Sequence, residues 1–218
     1  MARHATDLQR RALSLTLFAA APLWLAGCAL PSAPRQEFHL LRDGGKAGAA
    51  GTAGTAGATM ALPRIDKVLL VGAQASPGLY DGNRMVFSSD GRSRSYFQFG
   101  FWSERPAQTL QALAVTRLAT SQRFSEVAAS TAGVRGELLL NLRLEELYLD
   151  TAVDPGQVRL VVGAELVDWR QRTLLARRRL QQTATVPSLD AAGLAAAAGQ
   201  ALGALLDELV PWVAAAAA

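Results

Sequence analysis

Leu25-Ala26-Gly27-Cys28 is the place in this chain where residue types and spacing specify a covalent reaction. A cysteine thiol can take up a diacylglyceryl group. Small residues just before it let a peptidase hold the backbone extended, and an apolar stretch upstream brings the site to the membrane. That stretch is present: Arg3, Arg10 and Arg11 make a basic n-region, and Ala12 to Leu25 is an apolar h-region broken by Ser14, Thr16 and Pro22. This is the form of a cleaved export signal over residues 1–27. At about 14 residues the apolar run is shorter than the roughly 20 a helix needs to cross a bilayer. Arg10-Arg11 also suits twin-arginine export, although paired arginines are common to any basic n-region. Cys28 is the chain's only cysteine, so lipidation consumes it and no disulfide can brace the fold. Several acyl chains, at about 0.8 kcal/mol per buried methylene, hold a protein on a membrane durably where one chain does not. The residue after Cys28 is Ala29, not the Asp that retains lipoproteins at the inner membrane. The expected address is therefore the periplasmic face of the outer membrane of a Gram-negative cell.

Other chemistry is thinly represented. His4 leaves with the signal and His39 stands alone, so no His/Cys/carboxylate cluster is available for zinc. Glu145-Glu146 are neighbours on a strand pattern and point to opposite faces or sit in a bulge, whereas paired acid/base carboxylates must converge on one substrate. The serines have no Gly-x-Ser-x-Gly elbow or histidine partner. The glycine-rich run Gly51 to Gly57 lacks the Gly-Lys-Ser/Thr ending of a nucleotide loop. No enzyme activity, metal or cofactor is expected. The formal charge of +4 includes three arginines and one aspartate of the export signal, so the remaining chain is nearly balanced and nucleic-acid binding has little support.

The elements that carry these residues follow from periodicity. Residues 28–37 read as a lipidated tether with Pro31 and Pro34, and 38–213 as one domain. Phe38, Leu40 and Leu41 suit a brief first strand. Residues 44–61, rich in Gly, Ala and Thr, cannot bury enough apolar area to offset their ordering entropy and are expected to form a flexible loop. Ile65 to Val71, Arg84 to Phe87 and Tyr96 to Phe101 are strand candidates, the last two joined by a turn at Asp90-Gly91. Ser103 is an N-cap candidate for a helix with Pro106 in its first turn. Leu110, Leu113, Ala114, Arg117 and Leu118 follow at helical spacing.

The second half of the chain alternates more regularly. Phe124 to Ala128 suits a short strand, and Leu138, Leu140, Leu142 and Leu144 form the apolar side of a long one. After Asp154-Pro155-Gly156, Val158, Leu160, Val162, Ala164 and Leu166 repeat that pattern, and a third strand is expected from Thr173 to about Thr185, giving an antiparallel meander. Arg177-Arg178-Arg179 lies in that third strand and reads as a solvated edge or as contact for an acidic partner. Leu194, Ala198, Leu202, Leu205, Leu209 and Trp212 make one stripe of a helix from Asp190 to about Val213, read as core packing rather than as a membrane face, with residues 214–218 an alanine tail. The expected class is α+β, an antiparallel sheet with two principal helices on one face.

From Phe38 to Trp212 the chain resembles the ABC-type transport auxiliary lipoproteins, which include the paraquat-inducible protein C type. The resemblance rests on Phe38-His39-Leu40 after the anchor, on Tyr80-Asp81-Gly82-Asn83-Arg84-Met85-Val86-Phe87, and on Tyr96 running to Trp102-Ser103-Glu104-Arg105-Pro106. Arg123-Phe124-Ser125-Glu126-Val127 and the order of the later hairpins complete it. Phe38 and Phe87 stand where tyrosine is usual, and the Gly/Ala/Thr loop is longer than is typical. The resemblance implies a non-enzymatic periplasmic lipoprotein that serves an ABC-type lipid transport system containing a mammalian-cell-entry (MCE) domain protein. Contact with that protein, with possible homo-oligomerisation, is expected to use exposed aromatics among Tyr80, Tyr96, Phe99 and Phe101 together with Arg177, Arg178 and Arg179, because aromatics and arginine dominate interface energetics. The other reading is a stand-alone lipoprotein chaperone for a lipid or small apolar ligand.

Overall fold

In the computed structural model, residues 35–45 and 64–218 are described. The expected export signal, Cys28, most of the expected tether and most of the Gly/Ala/Thr segment lie outside the described residues. The strands are β1 (Glu37–His39), β2 (Ile65–Ala73), β3 (Arg84–Ser88) and β4 (Ser95–Trp102), followed by helix α1 (Pro106–Thr120). Then come β5 (Phe124–Ala129), β6 (Leu138–Asp150), β7 (Gln157–Asp168) and β8 (Thr173–Thr185), and helix α2 (Ala191–Ala217).

β6 organises the sheet. One of its edges pairs along nearly its whole length with β7, which pairs in turn with β8, both antiparallel. Its other edge is shared: Leu138–Leu142 take β2, and Leu149–Asp150 take β3. β5 lies outside β2, while β4 and then β1 lie outside β3. The expected meander and the α+β class are both present. The sheet is mixed, however, where the sequence pattern suggests an antiparallel one: β1–β4, β2–β5, β2–β6 and β3–β6 are parallel. Alternation of side chains reports which face is buried and carries no information about strand direction.

The alternation on β6 also changes phase. Leu138, Leu140, Leu142 and Leu144 are buried, and then Leu147 and Leu149 are. The shift comes from a bulge, since Leu144 pairs with Val162 and Glu146 with Val161, leaving Glu145 without a partner in the register. One extra residue returns the apolar set to the core side after the bulge.

The two helices lie against each other, with α1 on β2, β5 and β6, and α2 on β6, β7 and β8. α1 presents Pro106, Leu110, Ala114 and Leu118 inward, as its spacing predicts. Its N-cap is Arg105, without a side-chain cap, and Pro106 is the first helical residue, so the Ser103 cap is corrected. A proline there supplies the helical φ and lacks an N–H that would have gone unpaired. α2 is capped by Asp190, whose carboxylate accepts from Gly193 N–H at 2.7 Å. It runs to Ala217, with Ala214 and Ala217 buried, so the alanine tail is a packed part of the helix. The helix is long and apolar enough to cross a membrane, yet most of its apolar window is buried against the domain. Leu194, Leu202, Leu205 and Leu209 are wholly enclosed, each worth about 1.5–3 kcal/mol relative to exposure.

Candidate functional site

The sheet face away from the helices carries a lattice of charges. The bulge turns both Glu145 and Glu146 to this face, where Arg179 Nε reaches Glu145 at 2.7 Å and Arg159 Nε reaches Glu146 at 2.6 Å. Arg177 pairs with Glu165 across the β7–β8 register at 2.9 Å. Glu145, Glu165, Arg177 and Arg179 line a groove of about 520 Å³ together with Gln74, Arg143 and Gly163. Arg178, the middle residue of the triplet, points to the other face and pairs with Glu208 of α2. The three arginines are exposed and alternate across the edge strand as the period of two requires. All three are engaged by carboxylates of the same chain. Exposed pairs of this kind contribute about 0–1 kcal/mol each, so they add little to the stability of the fold. The two glutamates do converge, but onto guanidinium groups, and among the described residues lining the groove there is no histidine, serine, threonine or cysteine.

The opposite end of the sheet is aromatic. Phe38 on β1 stacks on Phe101 of β4, with ring centres 5.6 Å apart. Tyr96 and Phe99 are half-buried, and the Arg84 guanidinium lies 4.1 Å above the Tyr96 ring. Tyr80 is corrected as an exposed contact: it is 9% accessible and belongs to the core. Its burial pushes its phenol pKa up, partly opposed by the neighbouring Arg94. That arginine lies 3.7 Å above the Tyr148 ring, a cation–π contact between a hairpin residue and β6 for which the sequence carries no local signal. His39 faces Glu37 at 3.5 Å, and no group of three or more potential metal ligands occurs among the described residues.

A third cluster ties the N-terminal segment to the helices. Arg117 of α1 donates through Nε and a terminal nitrogen to the Asp43 carboxylate, and through Nη1 to Asp207 of α2 at 2.7 Å. Asp43 and Arg117 are 12% and 11% exposed. Beside them Gly44 N–H donates to Gly199 O at 2.9 Å, and a side chain on Gly203 would place its Cβ 2.0 Å from Gly45 N. Gly44 and Gly45, expected at the start of a flexible loop, are thus packed on α2, because four glycines let two backbones touch. Sequence spacing shows Arg117 on the inner side of α1, but not the carboxylates it meets.

These contacts set a pH response. The Arg117 hydrogen bonds hold Asp43 below its ordinary 3.8, with burial opposing them. Backbone N–H groups of Ser93 and Arg92 lower Asp90 to about 2, and Gly193 N–H lowers Asp190. Carboxylates with depressed folded-state values stabilise the fold above their unfolded-state pKa and lose that contribution as protons bind below it. Melting temperature is therefore expected to fall from about pH 4 towards pH 2, and Asp43→Asn to flatten part of that slope. A melt series from pH 7 to pH 2 checks it.

The sequence model of the family described as "ABC-type transport auxiliary lipoprotein component" matches residues 52–210. No curated protein matches the chain. Among solved structures, protein XCC0632 from Xanthomonas campestris, of family DUF330, has a TM-score of 0.70 at 19% identity, covering 83% of this chain and 95% of that one. An uncharacterized protein has a TM-score of 0.58 at 15% identity, covering 70% and 95%. At these identities the two structures establish the shared fold.

Proposed function

The chain belongs to the ABC-type transport auxiliary lipoprotein component family, and from that premise we propose that it is a non-enzymatic outer-membrane lipoprotein that contacts an MCE-domain protein of a lipid transport system. The family match carries this reading, because it makes the chain an auxiliary lipoprotein of an ABC-type system. The site chemistry agrees with it. Glu145, Glu146 and Glu165 pair with Arg179, Arg159 and Arg177 on the outer sheet face, and Arg143 lines the same groove, a charged surface suited to recognition. Tyr96, Phe99 and the Arg177 to Arg179 segment are the contact residues, with copies of the chain assembling around the same function. Phe101 lies under Phe38 and is left out of that contact.

Binding of the mature chain to an MCE-domain protein of the same cell is the direct test. A complex at micromolar concentration is expected. No complex, together with lipid carried by the isolated chain, would favour the stand-alone chaperone. Anchoring has its own test. Cys28→Ser removes the only acylable thiol and is expected to leave an unprocessed precursor absent from the outer-membrane fraction. A variant still cleaved before residue 28 and sedimenting with that membrane would overturn the lipidation reading.

A further inference from the structure

We propose that the edge formed by Phe38, Leu40 and Phe101 seats on the lipid surface that carries the anchor. The proposal rests on acylation of Cys28. Phe38 is 61% exposed and Leu40 is 54% exposed, while the His39 side chain between them is 16% exposed. The apolar pair thus projects outward on alternate residues while the intervening one turns in. Phe38 is not loose, because its ring is backed by Phe101 at 5.6 Å and its strand is held to β4 in parallel register.

What covers this edge follows from chain length. Eight residues lie between Cys28 and Glu37 at the start of β1, and the nine Cα-to-Cα steps that join them reach at most about 30 Å. A domain of this size has a radius of gyration of about 16 Å and is about 40 Å across. β1 is therefore the part of the fold that an acylated Cys28 confines nearest the bilayer, and it is also where exposed phenylalanine and leucine sit together. An aromatic and an aliphatic side chain presented from a rigid strand can enter the headgroup boundary without any change in the fold.

The test uses the full mature chain, acylated at Cys28, in vesicles of phosphatidylethanolamine and phosphatidylglycerol. Because the acylated sulfur no longer reacts, Phe38→Cys provides a single thiol for an environment-sensitive fluorophore. Trp169→Cys provides the control. Trp169 is 54% exposed and follows Asp168, which pairs with the Leu138 end of β6, whereas β3 and β4 adjoin the Leu149 end. The label at 38 is expected to shift to the blue on reconstitution and to be quenched by nitroxide lipids several-fold more than the label at 169. Equal quenching at the two positions, with Cys28 shown by mass to be acylated and the protein floating with vesicles, would overturn the proposal and leave the anchor intact. An unacylated chain remaining in solution would overturn the anchor and this proposal together. A blue shift that grows with protein concentration without nitroxide quenching would assign the edge to a second copy and overturn the proposal.

Discussion

Trp102→Ala is expected to destabilise the domain by about 3–5 kcal/mol, the range for truncating a buried aromatic. Trp102 is 2% exposed and among the largest fully buried side chains. Its backbone is equally committed: its N–H donates to Asn83 O at 2.7 Å, and it pairs with His39 in the β1–β4 register. The strand it closes packs on α2. Removing the indole leaves a cavity where strand, loop and helix meet, and the strand's hydrogen bonds on both sides restrict collapse into it. Denaturant unfolding measures the loss. Trp169→Ala, at a turn and 54% exposed, supplies the comparison and is expected to stay within about 0.5 kcal/mol of the parent. A Trp102→Ala midpoint equal to that of the parent would show that the indole does not hold this corner.

Arg117→Ala is expected to cost about 3 kcal/mol, because it leaves Asp43 charged, poorly hydrated and without its partner. The penalty arises from the remaining carboxylate more than from the lost attraction. Arg117→Lys is expected to recover part of it, since an ammonium keeps the charge but cannot reproduce the planar fork that serves Asp43 and Asp207 together. The same substitution has a local signature. Gly44 N–H, bonded to Gly199 O, should exchange with solvent faster once Asp43 is released, while amides of the β6–β7 pairing keep their protection. Unchanged stability and unchanged exchange at Gly44 would mean that the glycine contact alone holds the segment.

Much of this architecture is legible along the chain because the patterns involved are local. The apolar alternation of Leu138 to Leu144 and Val158 to Leu166, with Asp154-Pro155-Gly156 between them, specifies a hairpin within one stretch of sequence. The stripe from Leu194 to Leu209 specifies a buried helix face in the same way. The lipidation reading is equally local, since a basic segment, an apolar segment, small residues and Cys28 succeed one another directly; it lies outside the described residues.

Contacts between distant segments had to come from the tertiary structure. The parallel pairings of β2 with β5 and β6 depend on how the chain returns after α1, which side-chain periodicity does not encode. The bulge at Glu145 brings two glutamates to one face, because β7 supplies no opposing residue there. Tyr80 has an exposed-looking neighbourhood of Gly, Asp and Asn in sequence, yet the fold closes over it. Arg117 reads as the polar member of a helix face until Asp43 and Asp207, 74 and 90 positions away, converge on it. Residue type and period thus determined which surfaces must be buried, and they carry the expectation that Cys28 is acylated. Which surfaces meet, and which charges find partners, was decided only when chain segments far apart in sequence were brought within hydrogen-bond reach.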